Sequence, residues 1–205
     1  MKKLLLSAFV ICLAGTSIAQ ESPLWMRHCA LSPDGTTIAF TYKGDIYTVP
    51  STGGRATQIT TNPAFDTEPV WSPDSKQIAF ASDRMGSLDV FVVSSEGGAP
   101  QRLTTHSGSE KPVAYKDNKH ILFTANIAPS AEDAGFPSGQ FQQVYEVAVT
   151  GGRPAMFSSM PMECISINKE GVMLYQDKKG YEDYWRKHQA VSYTHLRAHE
   201  TGRNL

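Results

Sequence analysis

The sequence predicts an all-β fold: a β-propeller of four-stranded antiparallel blades, incomplete, with about three full blades and part of a fourth. Three observations carry this. The decapeptide LSPDGTTIAF (Leu31 to Phe40) returns forty residues later as WSPDSKQIAF (Trp71 to Phe80). The aromatic that closes each copy, Phe40 or Phe80, has counterparts at Phe123 and Tyr175. Behind the first three aromatics a β-rich run and a glycine pair follow in the same order: GDIYTV with Gly53-Gly54, LDVFVV with Gly97-Gly98, QVYEVAV with Gly151-Gly152. Self-similarity with a period of about 20–50 residues marks repeat architectures, and about forty residues is the length of one propeller blade.

Each part of the unit has a local reason. Ser32-Pro33-Asp34-Gly35 fits a type I turn, with Pro fixing φ at the second position and Gly at the fourth; Ser72-Pro73-Asp74-Ser75 keeps three of the four. The runs beside the turn are short and β-rich, with Ile38 and Phe40 expected on one face and Tyr47 and Val49 on another. The glycine pair permits the positive φ of a tight hairpin. Then RATQIT, APQRLT and RPAMFS close the units. One unit therefore reads strand, SPDG turn, strand, short loop, strand, Gly-Gly turn, strand. A single such sheet cannot bury both faces, so the blades must stack around an axis, and three blades and a part do not close a ring. The fourth unit is cut off, which leaves the strand carrying VMLY as an expected unpaired edge.

The third unit departs from the spacing. Phe80 to Phe91 is 11 positions but Phe123 to Tyr145 is 22, so 11 residues are inserted within 126–142. That stretch is rich in Pro, Gly and Ser and reads as a surface loop, either tolerated decoration or a rim element contacting substrate.

The ends are not part of the repeat. Lys2 and Lys3 precede an apolar run of about a dozen residues, short of the ~20 needed to cross a bilayer, and Ser17-Ile18-Ala19 offers small residues for cleavage. Residues 1–19 read as a signal peptide, so the chain is expected to be exported. Cys12 raises a lipoprotein alternative, which the bulky Ile11 disfavours. The repeat grammar stops after His188. Residues 190–205 read as a non-native tail, because VSYTHLRAHET resembles one reading frame of a sequencing-library adapter. Residues 20–189 are then the partial propeller.

Charge excludes some functions. The chain carries 19 basic and 20 acidic residues, with no basic stripe to suggest a nucleic-acid partner. The two cysteines of the mature chain, Cys29 and Cys164, align by counting back through the repeats to one position of the same strand in the first and fourth blades. Three blades apart, they lie beyond the ~7 Å Cα limit of a disulfide and are expected as buried free thiols. Trp71 is expected to pack between blades. Asp45 and Asp89 occupy matching places, which argues for a structural role. His28, His106 and His120 share no repeat position. His195 and His199-Glu200 have a spacing that suits zinc if helical, but no third ligand or supporting fold. No catalytic, cofactor-binding or metal-ligating residue is therefore assigned, and no cofactor is expected.

The units SPDGTTIAF, EPVWSPDSKQIAF and GDIYTVPSTGGRATQIT resemble the PD40 repeat of TolB-like and tricorn-like propellers, over about 28–176. SPLWMRHCALSPDGTTIAFTYKGDIYTVP and YQDKKGYEDYWRKH look like the tricorn-related peptidases of the S41 serine-peptidase family. Those proteins are exported from Gram-negative bacteria, so the resemblance implies a periplasmic or secreted chain, and in them the propeller precedes a PDZ-like module and a serine peptidase domain. The resemblance implies a non-catalytic module that binds or gates peptides for chemistry lying downstream of residue 205. Two alternatives stay open: a TolB-like periplasmic interaction propeller, and the propeller of a prolyl-oligopeptidase-like hydrolase.

Overall fold

A computed structural model describes residues 25–125, 143–158, 162–168, 171–177 and 196–200. Every regular element among them is a strand. Blade 1 is β1 (Arg27–Leu31), β2 (Thr37–Tyr42), β3 (Asp45–Pro50) and β4 (Thr57–Gln58); blade 2 is β5 (Asp66–Trp71), β6 (Gln77–Ser82), β7 (Asp89–Ser94) and β8 (Gln101–Arg102). Blade 3 is β9 (Glu110–Tyr115), β10 (His120–Ala125), β11 (Gln143–Ala148) and β12 (Ala155–Ser158). Blade 4 contains β13 (Met162–Ile167), β14 (Val172–Asp177) and β15 (Leu196–Glu200). Within each sheet the strands follow chain order and all pairs are antiparallel. The blades are adjacent through their first strands, β1 to β5, β5 to β9 and β9 to β13, which places these four innermost, around the axis.

One packing rule repeats at all three junctions. Each blade turns a face of large side chains toward the smaller face of the blade before it. Trp71, Ile78, Phe80, Phe91 and Val93 of blade 2 bury against Ala30, Ala39, Ile46 and Ile59 of blade 1. Tyr115, Ile121, Phe123, Tyr145 and Val147 of blade 3 meet Ala79, Val90, Val92 and Leu103 of blade 2. Met173 and Tyr175 of blade 4 meet Ala114, Leu122 and Val144 of blade 3. Strand alternation supplies both faces from the same strands. The central aromatics are direct cross-strand partners: Phe40 with Tyr47, Phe80 with Phe91 and Phe123 with Tyr145, stacked at 5.9, 5.9 and 5.7 Å. The pairing Ile38–Val49 and Phe40–Tyr47 puts all four of these residues on one face, where the sequence suggested two.

The turns behave as their residues dictate. Gly35 and Ser75 donate their N–H groups to Ser32 and Ser72, closing the SPDG turns at 2.8 and 2.9 Å. Ser75 takes a positive φ of 60° in place of glycine. At the hairpin pairs Gly53 and Gly54 have φ of 86° and 125°, and Gly97 and Gly98 have 91° and 121°.

Two features were not legible in the sequence. Every inner strand carries a β-bulge opposite the aromatic: His28 and Cys29 face Phe40, Glu68 and Pro69 face Phe80, Val113 is the extra residue near Phe123, and Cys164 and Ile165 oppose Tyr175. His28 and Glu68 absorb the kink with φ of 50° and 55°. The turn of blade 4 is also one residue shorter than that of blade 1. Asn168 N–H meets the carbonyl of Val172, four residues on, whereas Ser32 N–H meets that of Thr37, five residues on.

That shortening corrects the cysteine alignment. Ile165, rather than Cys164, holds the ladder position of Cys29, and Cys164 holds that of His28. Cys29 is a free thiol, and it is exposed rather than buried. Its counterpart Pro69 is buried with a blade on either side, while β1 has a neighbouring blade on one side only.

The edge expected at VMLY is covered, because β15 pairs with β14 from Val172–Glu200 to Gln176–Leu196. Residues 196–200 are therefore a strand, and the helical spacing considered for His195 and His199 does not apply. Residues 1–24, which include the segment expected as a signal peptide, the 126–142 insert and residues 178–195 lie outside the described residues. The insert's flanks, Ala125 and Gln143, are directly paired, so it leaves the β10–β11 hairpin at the end where the inner strands begin.

Replacing Phe80, which is fully buried between two blades, by Ala is expected to cost about 3–5 kcal/mol of stability in urea denaturation. Phe40→Ala is expected to cost less, because among the described residues no blade covers its outer face.

Candidate functional site: the axial groove

The four inner strands run side by side and end together at the SPDG turns, where they wall a groove of about 410 Å³. Its wall is formed by the last residue of each inner strand, Leu31, Trp71, Tyr115 and Ile167, and its rim by turn residues such as Pro33 and Pro73. Trp71 is 7% exposed, packs at the junction of blades 1 and 2, and donates its indole N–H to the Ala30 carbonyl at 3.0 Å. The expected inter-blade role thus holds, and its edge also faces the groove. Tyr115 takes the same place in blade 3, and burial pushes its hydroxyl well above the usual value. Lys116 is the charged side chain on the lining, and its Nζ lies 2.8 Å from Glu146 Oε2. The groove therefore presents a surface more apolar than polar, with Ser166 and Asn168 beside a lysine that is already paired.

The turns around this mouth are stitched from blade to blade. Asp34 N–H donates to Ser75 Oγ at 3.3 Å, and Asp74 N–H to Asn118 Oδ1 at 3.1 Å. The Ser32 hydroxyl is the first cause holding the Asp34 carboxyl below its usual value, and Ser72 does the same for Asp74. These two aspartates organise turns.

The opposite end of the axis carries a layer of carboxylates. Asp66 and Glu110 begin the inner strands of blades 2 and 3; each donates its backbone N–H to the preceding blade, to Gly44 and Leu88, at 2.7 Å. Asp45 and Asp89 begin the third strands of blades 1 and 2. Asp45 accepts from Gln58 Nε2 at 3.0 Å, and Asp89 Oδ2 lies 2.8 Å from Arg102 Nη2, so each ties its third strand to the fourth, the structural role expected from their repetition. Thr60 and Thr104 accept the N–H groups of Ile46 and Val90 at 2.9 Å. Both threonines lie in the repeated closing motifs, so that signal was present in the sequence. Asp66 is fully buried and held by both oxygens to Arg84 Nη2 at 2.9 and 3.0 Å. Burial, then the nearby Asp66, raises the Asp45 carboxyl.

The remaining histidines belong to local structure. His106 Nδ1 accepts from Gly108 N–H at 3.0 Å, and His120 Nδ1 lies 3.0 Å from Asp117. Among the described residues no group of three His, Cys, Asp or Glu could hold a metal ion. None of them is long and apolar enough as a helix to cross a membrane.

Antiparallel four-stranded blades, inner strands around an axis and a groove at its mouth define an open β-propeller arc. The chain belongs to the family described as the tricorn protease N-terminal beta propeller domain, whose model matches residues 23–204. It is 32% identical over 108 residues to the uncharacterized peptidase YuxL of Bacillus subtilis, covering 47% of this chain and 16% of that protein. It is 39% identical over 77 residues to tricorn protease homolog 1 of Streptomyces coelicolor, covering 38% of this chain and 7% of that protein. The crystal structure of TolB from Acinetobacter baumannii superposes with a TM-score of 0.57 at 23% identity, over 75% of this chain and 38% of that one. The chain thus spans a minor part of the relatives it matches, and the fold is also TolB-like.

Removing Arg84 would leave Asp66 charged and unpaired in the interior. Arg84→Met is expected to destabilise the protein by about 3–5 kcal/mol, read from urea denaturation at neutral pH.

Proposed function

We propose that this chain is the non-catalytic propeller module of an exported tricorn-like serine peptidase of the S41 family, binding or gating peptides for a downstream protease domain. The observation that carries this reading is the axial groove of about 410 Å³ walled by the inner strands of all four blades. Its size and its apolar lining suit the side chains of an extended, uncharged peptide. The family of the N-terminal propeller and the peptidase among the relatives support it. The TolB likeness favours a second reading, in which the propeller is itself the functional unit and holds a protein partner. A propeller of a prolyl-oligopeptidase-like hydrolase is the third.

Sequencing the locus beyond His188 separates these. A PDZ-like and S41 domain supports the first, termination after the ring the second, and a G-x-S-x-G nucleophile elbow the third. The same read decides whether 190–205 is native: adapter sequence absent from the genome makes it a non-native tail, whereas an uninterrupted genomic frame through THLRAHETGRNL makes β15 a genuine third strand.

The protein itself is expected to hydrolyse neither casein nor short fluorogenic peptides, since no nucleophile, base and oxyanion set is assembled among the described residues. Specific labelling of a serine by a serine-hydrolase probe would overturn that. Fluorescence anisotropy with a labelled apolar, uncharged peptide tests binding. Ile167→Asp, which places a charge on the groove wall, is expected to weaken it by about tenfold or more.

A further inference from the structure

The carboxylate layer is not the same at its two junctions. Between blades 1 and 2 the buried Asp66 is neutralised by Arg84, which reaches it from the loop after β6. Between blades 2 and 3 the equivalent residue is Glu110, 1% exposed, and the equivalent loop is the 126–142 insert, whose sequence contains two acidic residues and no Lys or Arg. Among the described residues, the following groups lie around Glu110 and its neighbour Asp89. From β7 comes Asp89, fully buried, with neither carboxylate oxygen in a hydrogen bond. From β8 comes Arg102, 2.8 Å from Asp89 and committed to it. From the segment after β8 come the Thr104 hydroxyl and His106, whose backbone N–H donates to Glu110 Oε2 at 3.3 Å. The next residue, Lys111, pairs elsewhere, with Glu68 at 2.7 Å.

We propose that the junction of blades 2 and 3 is a proton-operated latch, held shut while the buried Glu110 carboxyl keeps its proton and loosened when that carboxyl ionises beside Asp89. The latch closes directly on the backbone, because Glu110 N–H donates to the Leu88 carbonyl, adjacent to Asp89. Burial is the first cause that raises Glu110 above its ordinary 4.5, and Asp89 adds to it, against the opposing hydrogen bonds of Thr104 and the His106 N–H and the charge of the His106 ring when protonated. A carboxyl raised in the folded state binds its proton more tightly there than in the unfolded chain. Its stabilising contribution is complete below the ordinary value and is lost as pH climbs through the folded one. Glu110 and Tyr115 are the two ends of one six-residue strand, so loosening the first end shifts the groove wall at the other. This last consequence rests on the groove being a binding site; the latch does not.

Carbon-13 NMR of the Glu110 carboxyl, assigned with Glu110→Gln, reads the titration in the full chain, and hydrogen exchange at the Glu110 amide reads the latch. As pH rises from the ordinary carboxyl value through the Glu110 midpoint, after correction for intrinsic exchange, protection at that amide should fall by up to about tenfold for each unit by which that midpoint exceeds the ordinary value. Glu110→Gln should remove that fall and be at least as stable as the parent at pH 8. Asp66→Asn, which strands Arg84, should instead lose stability there. A Glu110 midpoint at its ordinary value would overturn the proposal, even if the variant failed to fold. So would unchanged pH dependence in Glu110→Gln. If the latch titrates as stated but peptide affinity is independent of pH, the latch stands and the reading of the groove fails.

Discussion

The packing of a large-residue face against the small-residue face of the preceding blade is the constraint on which the rest depends. Phe80 and Phe91 can stack at 5.9 Å and still be buried because the surface in front of them is Ala39, Ile46 and Ile59 rather than a second aromatic layer. Interiors must reach close packing, so large residues on one blade require small ones on the next. Alternation along each strand fulfils both demands at once: Ala79 belongs to the small face of blade 2 and its neighbours Ile78 and Phe80 to the large one. The stack has a direction as a result. Blade 1 presents Tyr47 and the 59% exposed Leu31 on its uncovered side, so an added blade would have to offer that side a small-residue face.

The bulges bear on the same problem from the axis. Each inner strand lies at the edge of its sheet, and an unbroken row of backbone donors and acceptors invites pairing with another chain. A bulge opposite the aromatic bends each of these edges at the same height and interrupts the row. The outer edges of blades 1 and 2 are managed more simply, by strands of two residues, β4 and β8.

Much of this was legible in the sequence for a physical reason. The SPDG turns, the glycine pairs and the closing aromatics are set by local backbone preference and by burial, and they repeat because each blade solves the same problem. What stayed hidden depends on pairing register. The bulges change no residue type in a recognisable way: the bulge positions hold His and Cys, Glu and Pro, Val, and Cys and Ile. The shorter turn of blade 4 shifts the ladder by one, so counting along the chain misplaced Cys164 by one rung. Cys29 looked buried because its position is buried in a blade with two neighbours. Nor could the sequence alone place Arg84 on Asp66, since the two are 18 residues apart and joined only by the hairpin.

Where the units agree and where they differ separates architecture from specificity. Ile38, Ile78 and Ile121 hold one rung of β2, β6 and β10, with Ile78 and Ile121 fully buried, and the stacked aromatics lie two residues on. One rung along the inner strands breaks the pattern completely: Leu31, Trp71, Tyr115 and Ile167 share a position and no two are alike. Those four wall the groove. A rung required only for stacking would be expected to repeat, as the isoleucine rung does in three of the four blades, with Met173 in the fourth. A rung facing a ligand that is itself asymmetric has no reason to, because each blade meets a different part of it. The same argument applies at the other end of the axis, where the Arg84-neutralised aspartate of blade 2 becomes Glu110 of blade 3, held instead by Thr104 and the His106 N–H. These two departures from the repeat lie at the two mouths of the axis, where the four blades converge on one space and need not present it with the same side chain.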